Sequence, residues 1–451
     1  MKTFVQLLLV VLAGGMSVWA APGQTTHTVC ASGCDYTTIQ AALYVAAPDD
    51  AITVLDAVHT ETGIVVNKSV EIAGLGMEQS IVQAAALPGE ATGPIFYVAP
   101  GVDLLVHDLT LRHGQNNYYG GAIYSQGRLT VERVALRDNS SQDGGAIYHT
   151  GEALFVVDSL LEGNHASSSG AGIYSGETAS VTVTTSTFEN NVTDLGSGAG
   201  IFSLGPLSVE ASLFRNNIAG YGGAINTSEA TLRSSTFSHN TGLTYGGALI
   251  TRGDVIVEGC TVEGNTALTG GVAYNLGNLV VYNSTFVRNR NTGPGQGVHA
   301  VANGGNLTLI NTTTYNDNDA TPNDPEFGGL PGVPGVITAQ NSIIANPNNS
   351  AVCADVILTD GAPNLATDNS CGFTLVANAV GLGPLRNNGG PTWTMALLPG
   401  SPALDAGQDA TCRPTDQRGF ARPIGAACDL GAVEMGKVTF LPLISRAQSQ
   451  P

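Results

Sequence analysis

The sequence predicts an all-β chain: a single right-handed parallel β-helix, with a capping helix at its N-terminal end and a C-terminal region that closes it. Three observations lead there. The unit Gly-Gly-Ala-Ile-Tyr at residues 120–124 returns in recognisable form at 144, 170, 198, 222, 246 and 270, in steps of 24, 26, 28, 24, 24 and 24 residues. Between these units a large apolar residue is followed three positions later by Asn: Leu136/Asn139, Leu161/Asn164, Phe188/Asn191, Phe214/Asn217, Phe237/Asn240, Val262/Asn265 and Phe286/Asn289. The residues seven and five before each of these anchors are apolar too, from Leu129/Val131 through Val181/Val183 to Leu279/Val281. A fixed period in this range marks a solenoid, and short β-prone runs make it a stack of strand coils.

The first residues stand apart from the fold. Lys2, an apolar run over 4–13 and the small-residue pattern Val18-Trp19-Ala20 make residues 1–20 a secretory signal, so the mature chain is expected to be exported. No other apolar run nears the ~20 residues of a membrane-spanning helix, and no transmembrane anchor is expected in the mature chain. Seven cysteines suit an oxidising compartment. Proximity suggests Cys30 with Cys34, Cys353 with Cys371 and Cys412 with Cys428, among the many pairings seven cysteines permit. Cys260 is left over, at a position where other repeats carry Ser159, Ser186, Ser212, Ser235 and Ser284, and reads as a small buried thiol. Thirty-six acidic against 17 basic residues give a formal charge of −19, which argues against nucleic acid and anionic membrane surfaces as partners.

Thr37-Thr38-Ile39-Gln40 has the form of a capping box, Gln40 reaching back to Thr37, and Ile39, Ala42, Leu43 and Ala46 share one helical face. A helix here would cover the unpaired edge of the first coil. Strand-like runs follow at 52–55, 64–66 and 70–72. Within each repeat, alternation turns the two apolar residues before the anchor inward. The small residue two before the anchor breaks that alternation and requires a bend. The anchor then begins a second inward side, and Gly-Gly-Ala-Ile supplies a third. With coils about 4.8 Å apart, like residues form columns; the Asn residues should stack at one turn, bonding along the column, while glycines mark corners.

The phase loosens at both ends, at Leu111/Gly114 and again at Leu307/Leu309/Thr314/Asp317 and Ile337/Ile344. About ten coils follow, a rod section of roughly 45 Å. Residues 318–335, with Pro322, Pro325, Pro331 and Pro334 among glycines, read as a loop projecting between coils. The expected division is a β-helix over 30–350 with its repeat core at 104–317, a C-terminal region over 351–436 and a tail over 437–451.

Tyr36 to Leu43 and the strands after it resemble the start of pectin-lyase-like β-helix proteins. The repeats over 104–289 resemble those of chlamydial polymorphic outer-membrane proteins and related bacterial β-helix surface proteins. That resemblance implies adhesion or surface display, although this chain departs from the family in having no C-terminal region long enough for a membrane β-barrel. The last part is similar to the choice-of-anchor Q domain of exported bacterial proteins. The matching residues are Leu382-Gly383-Pro384-Leu385, Asn388-Gly389-Gly390-Pro391-Thr392, the run 398–407, Asp416-Gln417-Arg418-Gly419-Phe420-Ala421-Arg422-Pro423 and Cys428-Asp429-Leu430-Gly431-Ala432-Val433-Glu434. It implies export with no assigned chemistry, and residues 436–451 match no usual anchor.

No metal, nucleophile or phosphate motif stands out, and Gly74-Leu75-Gly76 reads as a corner. Two columns carry candidate chemistry. Tyr124, Tyr148, Tyr174 and Phe202 follow an inward residue on successive coils and should face outward, as a ligand-binding strip for sugar rings or a partner protein, or as a ladder shielding the coil wall. Glu210, Arg233 and Glu258, four before their anchors, with Glu229 and Asp254, eight before, form an acidic patch around one arginine. Pectate-lyase-like enzymes hold Ca²⁺ and an acidic sugar with carboxylates and abstract a proton with Arg or Lys; the same alternation also suits a solvated ion-pair ladder. Asp416, Arg418, Asp429 and Glu434 are open to the same two readings. The function expected is an exported surface-associated or secreted protein, adhesive or structural, that binds a polysaccharide or cell-surface component without a cofactor. The alternative is a Ca²⁺-dependent polysaccharide lyase or a hydrolase on the same fold, and a third reading is a passive rod.

Overall fold

The computed structural model describes residues 24–293, 298–316, 324–347 and 351–436; the expected signal (1–20), the tail (437–451) and residues 318–323 of the proline-rich stretch lie outside the described residues. The architecture is the expected all-β stack of parallel coils. Its strands make a 26-stranded, a 12-stranded and a 7-stranded parallel sheet, beside one two-stranded antiparallel pair. One coil shows the plan: Ile147–His149 lies in the 12-stranded sheet, Ala153–Val157 and Leu160–Glu162 form two sides of the largest sheet, and His165–Ala166 joins the 7-stranded one. Parallel crossovers of this kind take the right-handed course.

Three columns of left-handed backbone turn the corners. The bend required by the broken alternation falls at Asp158, Thr185, Ala211 and Ser234, with φ of 47–50°. A second column runs through Asp138, Asn190, Asn216 and His239 just before the Asn positions, and the third is Gly120, Gly144, Gly170, Gly198, Gly222, Gly246 and Gly270. At Gly121 a Cβ would meet Gly145 O at 2.1 Å, so coil spacing itself demands glycine.

Between the corners, like residues stack in register. Phe188, Phe214 and Phe237 fill the core with ring centroids 4.6 and 5.1 Å apart, each burial contributing about 1.5–3 kcal/mol. The Asn column forms as expected. Asn164 Oδ1 accepts from the backbone N–H and the amide of Asn139 at 3.1 and 3.0 Å. Its own Nδ2 donates to Leu136 O at 2.9 Å and to Asn191 Oδ1 at 3.0 Å. A second polar column stands at the bend, where Ser159, Ser186 and Ser212 each accept, at 3.1 Å, the backbone N–H of the preceding coil. Cys260 occupies this column, fully buried and unpaired in disulfide terms, as the sequence suggested.

Four boundaries differ from expectation. Thr38, not Thr37, caps helix Ile39–Val45, its side chain accepting from Ala41 N. Gln40 instead pairs with the backbone of Val65 through both ends of its amide, and Glu61 takes the N–H groups of Ile39 and Gln40. A tertiary partner thus outcompetes the local box. The proline-rich stretch is not all loop: Phe327–Gly329 is a strand of the 12-stranded sheet, between Val301–Asn303 and Cys353–Ala354. The stack also runs past both ends of 30–350, from Thr26–Val29 to Leu375–Val376.

The C-terminal region, fourthly, lies along a flank of the rod. Gln417 Nε2 donates to Cys260 O, Asn283 Nδ2 to Thr415 O, Arg413 N to Asn311 Oδ1, and Gln408 N to Asn341 Oδ1. Running from residue 408 to 417, the segment thereby returns down four successive bend corners. Ile343 and Leu365 of the rod pack there with Val380, Leu397, Ala403 and Leu430. The end of the stack is closed by Phe373, buried in the rod core beside the Cys353–Cys371 disulfide. The other pairings, Cys30–Cys34 and Cys412–Cys428, are those that proximity suggested.

Candidate functional site

The aromatic column exists and is longer than the four residues read from the repeat. Tyr97, Tyr124, Tyr148, Tyr174 and Phe202 are successive partners in register. Tyr148–Tyr174 and Tyr174–Phe202 stack at 4.8 and 5.1 Å with interplanar angles of 10 and 23°. Tyr119, from the turn before Gly120, adds a ring 4.4 Å from Tyr148, and Tyr118 follows it at 6.3 Å. Stacking has a chemical consequence. Rings that face one another along the rod axis turn their edges to solvent, so Tyr148, between Tyr119 and Tyr174, and Tyr174, between Tyr148 and Phe202, offer no open face on which a sugar ring could lie. Burial, with Tyr174, Tyr119 and Asp143 nearby, pushes the Tyr148 phenol up to about 12, and burial raises Tyr174 as well.

The charged constellation is rearranged by a residue that repeat counting missed. Glu210, Arg233 and Glu258 are neighbours in register on three coils, followed by Tyr282. Arg233 Nε donates to Glu258 Oε2 at 3.2 Å. Arg413 of the flanking region donates to Glu258 Oε1 at 2.8 Å and lies 4.4 Å from the Tyr282 ring centre. Glu258 is thus held between two guanidinium groups. Glu210 and Glu229 are exposed on neighbouring coils. Asp254 accepts from Asn278 Nδ2 at 2.7 Å, in a row that continues from Asn306 to Asn278 at 2.8 Å. These carboxylates do not converge. Among the described residues no three His, Cys, Asp or Glu side chains are grouped to hold a metal ion.

What the flank does create is a cleft. It has a volume of about 220 Å³, and Arg233, Glu258 and Asn283 of the rod face Thr415, Gln417 and Arg418 across it. A second depression of about 290 Å³ continues on the other side of Arg233, with Thr182, Ser208, Glu229 and Thr231 among its walls. Arg233 stands at the junction, its side chain 49% exposed and paired with Glu258 alone among the described residues. Within the Asp416 group the charges pair with one another. Arg418 donates to Asp416 at 2.7 Å, and Arg422 pairs with Glu434 at 2.9 Å with both side chains buried. Sequence spacing could not have brought Arg413 to Glu258, because 155 residues separate them.

His149 and Glu326 are buried ionisable groups outside both columns. His149 and Ser175 are adjacent members of an inward column of polar residues, and among the described residues neither side chain has a hydrogen-bond partner. Burial lowers the His149 imidazole to about 4. Burial also raises Glu326 to about 8, against the opposing hydrogen bonds of Asn316 and Asn346.

No family model matches the chain, and no curated protein matches it. The outer-membrane repeat and anchor-Q resemblances therefore rest on the quoted residues alone. Among solved structures the chain is similar to the PL6-family alginate lyase AlyGC, with 15% identity, a TM-score of 0.48, and coverage of 83% of this chain and 58% of the lyase. An arginine-to-alanine mutant of the same enzyme aligns with 12% identity and a TM-score of 0.38, over 90% of this chain and 58% of the other. The chain spans less than two thirds of the length of the enzyme it aligns with.

Proposed function

We propose that this chain is an exported, surface-associated or secreted rod that binds a polysaccharide without cleaving it, in an adhesive or structural role. The observation that carries this reading is the pair of clefts meeting at Arg233, where hydroxyl, amide and guanidinium groups line an elongated depression on the rod. Sugars are recognised by such groups, and an extended surface suits an extended chain. The signal-like N-terminus and three disulfides support the exported setting. The aromatic column contributes shape and stability to the wall rather than a stacking platform.

A catalytic reading draws on the same cleft, with Arg233 as its reacting group. The test is incubation of the mature protein with acidic and neutral polysaccharides, with and without Ca²⁺, scoring pull-down and new chain ends together. Retention without cleavage, weakened by Arg233→Ala and unaffected by chelation, is the expected result. New chain ends that disappear in Arg233→Ala would replace the binding reading with the lyase one. Neither retention nor cleavage would leave a passive rod.

A further inference from the structure

The tyrosines of the column do more than the wall requires. Later coils build the same position with Asn226, Ile250, Tyr274 and Ala302, and the Asn, Ile and Ala members show that neither a ring nor a hydroxyl is needed there to close a coil. Yet Tyr97, Tyr124, Tyr148 and Tyr174 all carry phenols, and they join Tyr119 and Tyr118 in one network. Every link lies between 4.4 and 6.3 Å, centre to centre. Its outer end is held out by the turn: Asn116 Nδ2 donates to Tyr119 O, and Tyr118 N donates to Asn116 Oδ1. Tyr118 is 63% exposed and Tyr119 41%.

We propose that this network is an oxidisable relay whose exposed end, Tyr118 and Tyr119, is a site of tyrosine–tyrosine coupling between copies of this chain. A ring that loses an electron becomes cationic, and the electron-rich faces of neighbouring rings stabilise it. Stacked phenols are therefore easier to oxidise than an isolated one. The charge comes to rest where the phenol can release its proton. Inside the column burial holds the Tyr148 and Tyr174 protons tightly, whereas Tyr118 and Tyr119 stand in water.

The step balances with hydrogen peroxide turned over by a haem peroxidase as oxidant. Each of two phenols gives up one electron and its hydroxyl proton. The radicals join through a carbon–carbon bond between ring positions adjacent to the hydroxyls, and the displaced ring hydrogens return to the oxygens as the rings become aromatic again. The peroxide accepts two electrons and two protons and leaves as two waters.

Tyr44 supplies the internal control, being 78% exposed with no ring against it among the described residues. The experiment treats the full mature protein with horseradish peroxidase and hydrogen peroxide, follows the covalent dimer on a denaturing gel together with dityrosine fluorescence, and maps the linked peptides. Coupling should concentrate at Tyr118 and Tyr119, the Tyr118→Phe/Tyr119→Phe double variant should lose most of the dimer, and Tyr44→Phe should keep it. Tyr148→Phe, which retains the ring but is hard to oxidise, should lower the yield while the circular dichroism spectrum stays unchanged. Coupling that follows exposure alone, with Tyr44 ahead of Tyr118, would overturn the proposal. So would a double variant that dimerises at the wild-type level, or a wild-type protein that forms no coupled dimer.

Discussion

At the scale of single residues, the rod is held by polar side chains that have little freedom to change. Asn191 accepts from the backbone and amide of Asn164 and donates to Leu161 O and Asn217 Oδ1. Asn191→Ala would leave several buried partners unsatisfied and is expected to cost about 2–4 kcal/mol, measurable by chemical denaturation. His149 and Glu326 couple stability to pH from opposite sides. His149 titrates near 4 in the folded protein, below the ordinary histidine value, so its contribution is complete above about pH 6.5. It is lost as pH falls towards 4, because the unfolded chain takes up the proton first, at up to about 1.4 kcal/mol per pH unit. His149→Ser, matching its column neighbours, should flatten that part of the stability profile relative to the native protein. Glu326 behaves in the reverse sense: with its carboxyl raised to about 8, stability present in acid is lost as pH rises from the ordinary carboxylate range through 8. Glu326→Gln should therefore stabilise the protein at pH 8–9 and change little at pH 4. An equal effect of this substitution at both ends would show that Glu326 is ionised in the folded state.

At the scale of elements, what could be read in advance was whatever repeats. The Gly, Asn and apolar anchor positions were visible because each column asks for one kind of side chain coil after coil. The bend corners were visible only as a break in alternation. Their occupants, Asp158, Thr185, Ala211 and Ser234, share a backbone angle and no side-chain chemistry. The true helix cap escaped because Gln40 and Glu61 exchange local partners for ones about twenty residues away. The cleft escaped for the same reason on a larger scale, since Gln417 meets Cys260 across 157 residues. Gln417 is the natural place to test how the flank is attached. Its amide also accepts from Thr285 Oγ1 at 2.7 Å and is buried. Gln417→Ala should raise hydrogen exchange and proteolysis over residues 380–436 while leaving the central coils protected, and should weaken polysaccharide retention by opening one wall of the cleft. Protection lost evenly along the whole rod would show that flank and coils unfold as one unit.

At the scale of the whole molecule, each coil touches only its neighbours, so stability is close to a sum of coils and interfaces. Injury should stay local. Reducing Cys353–Cys371, a crosslink of a kind typically worth about 2–4 kcal/mol, is expected to expose the last coils to exchange while residues 120–250 keep their protection. The two ends of the rod are finished differently, by the Ile39–Val45 helix at one and by Phe373 with the disulfide at the other, and the flank is fastened at Gly259, Asn283, Asn311 and Asn341 by way of Thr392, Thr415, Arg413 and Gln408. Those fastenings fall on consecutive coils, and the flank can meet them all only if the coils beneath it keep their number and order. The flank is therefore a ruler. Gene duplication of one coil between residues 120 and 250 would lengthen the rod and leave every fastening in place, whereas the same duplication between 259 and 341 would carry half of them out of reach. Descendants of this chain can be expected to differ in length on the uncovered side and to agree in length on the covered one.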